Sequence, residues 1–144
     1  MRSHQSKFIL FQIANYALAL PAQSVVKVIH TPLSEPIHTS LIYTERYTIT
    51  LVNLYEKLAV DHIAQANRSN FTMIAQSTLK ELVAIPVKEP PNLIELTTES
   101  IRALPQSYPH KMLLKLSTHI GVVTEARSRI IFILDIDQIQ HSLH

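Results

Sequence analysis

Short runs of β-branched and aliphatic residues recur along this chain, and no stretch keeps a helical period for three turns. Val25–Ile29, Thr48–Val52, Phe71–Ala75, Leu82–Val87, His119–Thr124 and Ile130–Leu134 all have the composition of strands. Polar or proline-containing segments follow several of them, such as Thr31-Pro32 and Pro90-Pro91-Asn92. Many short strands with short links predict an all-β barrel or sandwich, with helices as minor connectors. With 144 residues, 47% of them hydrophobic and 17% charged, the chain is expected to fold as one domain. Its only glycine is Gly121, so tight turns fall to Asn, Pro and Ser, or the links are longer than two residues.

The first segment, MRSHQSKFILFQIANYALALPA, has a basic start and an apolar middle, as a secretory signal has. Gln12 and Asn15 interrupt the apolar run, and Phe8–Ile13 alternates as a strand does. A β-hairpin is the better expectation, with Asn15 at the turn because Asn tolerates positive φ. The motifs Asn67-Arg68-Ser69 and Asn70-Phe71-Thr72 would matter as glycosylation sites only under the signal reading. No apolar run approaches the ~20 residues of a membrane helix, so no membrane insertion is expected. The absence of cysteine removes disulfides and thiolate metal sites and suits a cytoplasmic location.

Composition also bounds the chemistry. Thirteen basic and eleven acidic residues give a net charge of only +2. The closest basic pairs are Lys111/Lys115 and Arg127/Arg129, not the clustered stripe that nucleic acid binding favours. His4, His30, His38, His62, His110 and His119 are scattered, and only His141 and His144 share i,i+3 spacing. Catalytic zinc needs convergent, oriented ligands, so neither metal nor cofactor is expected. There is no G-x-S-x-G elbow and no glycine-rich phosphate loop. The chain is expected not to be an enzyme.

One pattern occurs twice. ITLVNLYEKL turns from strand to helix at Asn53, and IIFILDIDQI does so at Asp135. An Asn or Asp N-cap accepts a hydrogen bond from the first helical turn, while Glu56 or Gln138 three positions on can reach back to the cap's own N–H. Two such steps suggest two similar sub-barrels, each closed by a helix that its own sequence starts.

The order of these segments resembles that of CheW-like domains, the coupling fold of chemotaxis. Phe11, Ala19, Leu20 and Pro21 match that family's opening F…ALP, and Ser24-Val25-Val26-Lys27-Val28 matches its sVrEV segment, a short helix in the family. IYTERYTITLVNL falls where the family has inlRGrvlPVvDL. SIRALP at 100–105 is similar to eirplP, and Gly121-Val122 with Ile130–Asp135 is similar to the closing kGv…rlvllLD. The similarity runs from about Lys7 to Ile139. It implies two small five-stranded β-barrels sharing a core, with subdomains of roughly 1–40 plus 110–144 and 41–109. It further implies a non-enzymatic adaptor that links a chemoreceptor tip to the regulatory domain of a histidine kinase, in a chemotaxis or pilus-motility array. A diverged scaffold of the same fold, or a small basic barrel that binds nucleic acid, are the alternatives.

The departures fall at polar positions. The family's Arg-Gly is Glu45-Arg46 here, its PVvDL is Thr50-Leu51-Val52-Asn53-Leu54, its acidic residue in VrEV is Lys27, and its VDeV is Val87-Lys88-Glu89-Pro90. The resemblance therefore marks Val25 and Val28 as candidate apolar contacts, with Lys27, Glu45 and Arg46 as candidate charges that select a partner. Tyr43, Tyr47 and Tyr55 are either a binding patch or, preferably, a cover over the barrel end with hydroxyls in water.

Overall fold

The computed structural model describes residues 5–30, 41–43, 48–58, 70–123 and 129–142. The chain opens with a hairpin of β1 (Gln5–Ile13) and β2 (Tyr16–Pro21), as its alternation predicts. Ile13 pairs with Tyr16, so Ala14 and Asn15 alone make the turn. The left-handed residue is Ala14, with φ 55°, and not Asn15. In this two-residue link the first position needs positive φ, so an alanine Cβ bears the strain that asparagine was expected to relieve.

A 3₁₀ turn at Ala22–Ser24 leads into β3 (Val25–His30). The strand expected from the valines is present, and the helical turn implied by the resemblance lies just ahead of it. Four β-branched residues among Val25–Ile29 keep that stretch extended. Then come β4 (Leu41–Tyr43), β5 (Thr48–Leu51) and α1 (Leu54–Lys57), followed by β6 (Phe71–Gln76), β7 (Leu82–Val87) and β8 (Asn92–Thr97). A second 3₁₀ turn at Thr98–Ser100 precedes β9 (Ile101–Ala103), α2 (Lys111–Leu116), β10 (Ser117–Val123), β11 (Arg129–Leu134) and α3 (Ile136–His141).

The strands form two curled sheets, ordered β8-β1-β2-β11-β10-β9 and β3-β6-β7-β5-β4. The first has six strands, not five, because β9 adds itself beside β10. Each sheet repeats one plan: a hairpin, flanked on one side by an edge strand, and joined on the other by a parallel strand that ends in a capped helix. The registers coincide. Leu51 of β5 pairs with Ala84 of β7, and Ile133 of β11 pairs with Ala19 of β2. Each lies two residues before its cap. Asn53 thus corresponds to Asp135, Tyr55 to Asp137, and Ala84-Ile85-Pro86 to Ala19-Leu20-Pro21.

The flanking strands are exchanged. β3 follows the first hairpin yet pairs with β6, and β8 follows the second yet pairs with β1. Residues 25–30 therefore stand in the second sheet and 92–103 in the first, across the boundaries drawn from sequence. Composition could not reveal this, because an edge strand looks the same whichever hairpin it flanks.

Alternation explains why β2, β7 and β11 read as nearly continuous apolar runs, and why β6 is interrupted inside only by Thr72. Leu18, Leu20, Phe132 and Leu134 face a core shared with Met73, Ala75, Val83, Ile85 and Val87 of the other sheet. Their neighbours Ala17, Ala19, Ile131 and Ile133 fill the first barrel, while Ile74 and Ala84 fill the second. Both faces of these strands are buried, so neither face needs polar residues. Gly121 lies where a Cβ would come within 2.8 Å of Leu96 Cδ1, which places the lone glycine at a close approach, not at a turn.

Candidate partner-binding surface

Both expected caps are present. The Asn53 side chain accepts from the N–H of Glu56 at 3.2 Å, and Asp135 accepts from the N–H of Asp137 at 2.9 Å. The reciprocal half does not form at Asp135, whose own N–H donates to the carbonyl of Leu116 at 2.9 Å. A third cap was not foreseen: His110 Nδ1 accepts from the N–H of Leu113 at 3.3 Å and starts α2. Its ring meets the Tyr16 ring edge-on at 5.5 Å, and Tyr16 and Tyr108 both meet Phe132 edge-on.

The two barrels are clasped as well as packed. Asp137 Oδ1 in α3 accepts from the N–H and the hydroxyl of Thr78, at 3.0 and 2.9 Å. Thr78 belongs to the β6–β7 turn, which Lys80 closes with φ 63°. Lys57 Nζ of α1 donates to the carbonyl of Ser142, just past α3, at 3.3 Å.

Three of the candidate contact residues sit on β3, an edge of the second sheet. Val25 pairs with Ala75 and Lys27 with Ile74, so Val26 is the extra residue of a β-bulge. The bulge shifts the alternation by one. Val25 and Val28 therefore share the face of Ala75 and Met73, toward the common core, whereas Lys27 and Ile29 point to the other face. Val25 is half-buried against the core, while Val26, Val28 and Ile29 are 55%, 43% and 41% exposed. His30 meets the Phe71 ring edge-on at 5.2 Å. The structure thus brings Val25 and Val28 together and sets Lys27 on the opposite face. Glu45 and Arg46 lie outside the described residues, as does Tyr47.

Tyr55 is buried at 1% exposure and cannot belong to a surface patch. Burial pushes its hydroxyl above the usual tyrosine range, a backbone hydrogen bond from Lys88 opposes that rise, and the Glu89 charge adds to it. The hydroxyl expected in water is buried instead.

Leu93 on β8 escaped the sequence reading. It pairs with Ile9 of β1, as Val28 pairs with Met73 of β6, and is 60% exposed. Each sheet therefore presents an exposed aliphatic residue at one equivalent place on its edge strand. The signal was the apolar pair Leu93-Ile94 just after Pro90-Pro91, hidden because the diproline suggested only a turn.

Among the described residues, no three His, Asp or Glu side chains gather as metal ligands would, and no helix is long and apolar enough to cross a membrane. His4, His38, His62 and His144 lie outside the described residues.

Among known protein families, the CheW-like domain matches residues 7–144 of this chain. Among solved structures, the chain is similar to the scaffolding protein TtCheW from Thermoanaerobacter tengcongensis, with a TM-score of 0.71 at 16% identity over 92% of this chain and 90% of that one. At that identity the likeness speaks for the fold. Comparison with curated protein sequences returned no match.

Proposed function

The chain belongs to the CheW-like domain family, and we propose that it acts as a cytoplasmic, non-enzymatic coupling adaptor. In this reading it holds a chemoreceptor tip and the regulatory domain of a histidine kinase in fixed geometry within a chemotaxis or pilus-motility array. The observation that carries the reading is the pair of equivalent edge strands. A coupler needs two docking surfaces held rigidly apart, and β3 and β8 each present an exposed aliphatic residue on a sheet anchored in one shared core. Exposed apolar residues on a strand edge are a docking feature, since main-chain pairing supplies affinity and side chains supply choice.

Lys27 favours a second reading, a scaffold of the same fold adapted to another assembly. The family carries an acid there, and Glu45 stands where it carries an arginine. A partner adapted to this chain would bear compensating charges, whereas a standard partner would meet like charges.

Titration with purified kinase regulatory domain and receptor-tip fragments from the same organism tests both readings. Val28→Asp should weaken one partner at least tenfold by placing an unpaired charge in an apolar contact, and Leu93→Asp should weaken the other. Val25→Asp is the less clean probe, because Val25 also packs on the core. Lys27→Glu with Glu45→Arg should shift preference toward standard-type partners, and Lys27→Glu alone, at an exposed position, should leave the thermal midpoint nearly unchanged. Undiminished binding by both aspartate variants would refute the edge-strand surface.

A further inference from the structure

The duplicated plan allows the two barrels to be compared position by position, and at one place they differ in what fills the same space. In the second barrel, the third residue of the capped segment is Tyr55. It is buried in the shared core, with the Lys88 backbone and the Glu89 charge near enough to its hydroxyl to shift its titration. In the first barrel the equivalent residue is Asp137. Counted on from the matched parallel registers, Gln23 and Ser24 correspond to Lys88 and Glu89, although the chain turns as a 3₁₀ helix at Ala22–Ser24 where Val87 still pairs as strand. Asp137 is short and turns its carboxylate toward Thr78. What remains is an open groove of about 490 Å³ lined by Pro21, Gln23, Ser24, Ile136, Asp137 and the β6–β7 turn.

We propose that this groove is a socket for a tyrosine side chain of a partner protein, which there completes the first barrel as Tyr55 completes the second. The duplicate specifies the occupant. The second barrel fills this place with a buried phenol ring, and there the counterparts of Ile133, Ile136 and Pro21 are the apolar Leu51, Leu54 and Pro86. The first barrel keeps the floor, with Pro21, Ile133 and Ile136, and lines the rim with the polar Gln23 and Ser24. A tyrosine delivers a large apolar area with a polar tip at small entropic cost, which suits a half-apolar groove with a polar rim. The socket lies at the α3 end of the first sheet, where none of the candidate residues on β3 contributes to its lining. It depends on the adaptor reading only for the partner's being a protein, and the test needs no partner.

The probe is p-cresol, the tyrosine side chain alone, titrated into the ¹⁵N-labelled full chain and followed by amide chemical shifts. Saturable shifts are expected at Gln23, Ser24, Thr78 and Asp137, in the millimolar range that suits so small a ligand. Toluene should bind several-fold more weakly for want of the hydroxyl. Asp137→Tyr, which supplies the ring from within, should abolish the shifts while the circular dichroism spectrum is kept. Because that change also removes the clasp, Thr78→Val is the companion variant. It removes the hydroxyl's half of the clasp while the backbone N–H keeps its own bond, leaves the groove open, and should retain p-cresol binding within about twofold. Shifts that do not saturate, that map elsewhere, or that survive Asp137→Tyr would overturn the socket. Toluene binding as strongly as p-cresol would overturn the assignment of a tyrosine.

Discussion

Asp135→Ala is the substitution that most directly tests whether the two strand-to-helix steps are equivalent in kind but unequal in strength. The carboxylate of Asp135 is half-buried, accepts from the Asp137 N–H at 2.9 Å, and starts the six-residue α3, which buries Ile136 and Ile139 in the shared core. Its removal leaves a helix-end N–H without its partner and removes a negative charge from a helix N-terminus, both unfavourable. Loss of an N-cap costs about 0.5–2 kcal/mol, and this half-buried, charged example belongs in the upper half, about 1–2 kcal/mol. Asn53 makes a longer bond of 3.2 Å in an exposed setting, on a helix of four residues. Asn53→Ala should therefore cost about 0.5 kcal/mol. For a chain of this size the larger loss corresponds to a midpoint lower by about 3–6 °C. The chain has no tryptophan, so urea denaturation followed by far-ultraviolet circular dichroism is the suitable assay. The double variant should be additive within about 0.5 kcal/mol, since the caps share no partner. Equal costs, or a larger one at Asn53, would refute the argument from burial and charge.

Three further outcomes follow from particular contacts. Gly121→Ala should destabilise by about 1–3 kcal/mol, because the new methyl group meets Leu96, and much of that loss should vanish in a Leu96→Val background. His110→Ala should cost about 1 kcal/mol through loss of the α2 cap, and His110→Asn should recover most of it, as chemical denaturation of the three proteins will show. Tyr55 titrates above its ordinary value of 10.0 in the folded state, so its neutral form is favoured by folding. Its contribution is complete below pH 10 and is lost as pH rises through the folded value. Tyr55→Phe should flatten the alkaline limb of the stability curve, and an unchanged limb would count against the buried hydroxyl.

The strands that carry the core were legible because their side chains alternate between two buried spaces, which leaves long apolar runs. Both caps were legible too, because capping is a local matter of a few residues. What stayed hidden depended on distant partners. The exchange of β3 and β8 is set by pairing across the chain, which composition does not record. The bulge at Val26 was equally invisible, yet it decides that Val25 and Val28 share a face while Lys27 does not. Tyr55 looked like its neighbours Tyr43 and Tyr47, and only its place in the second barrel shows it to be buried. Glu45 and Arg46 rest on resemblance alone.

The exchanged edge strands also decide how the molecule can come apart. A chain divided within residues 59–69 would yield two fragments, each owning a hairpin that lacks its flanking strand and a flanking strand that lacks its hairpin. Neither fragment could satisfy its sheet alone, and each carries what the other needs, so the pair should reassemble on mixing. Within the intact chain, the peptide backbone ties β3 to the first hairpin while hydrogen bonds tie it to the second. A load applied to that edge reaches one barrel through covalent bonds and the other through a ladder of hydrogen bonds. Amide exchange in β1 and β6 should therefore slow together when only one edge is occupied, with neither barrel opening independently of its neighbour.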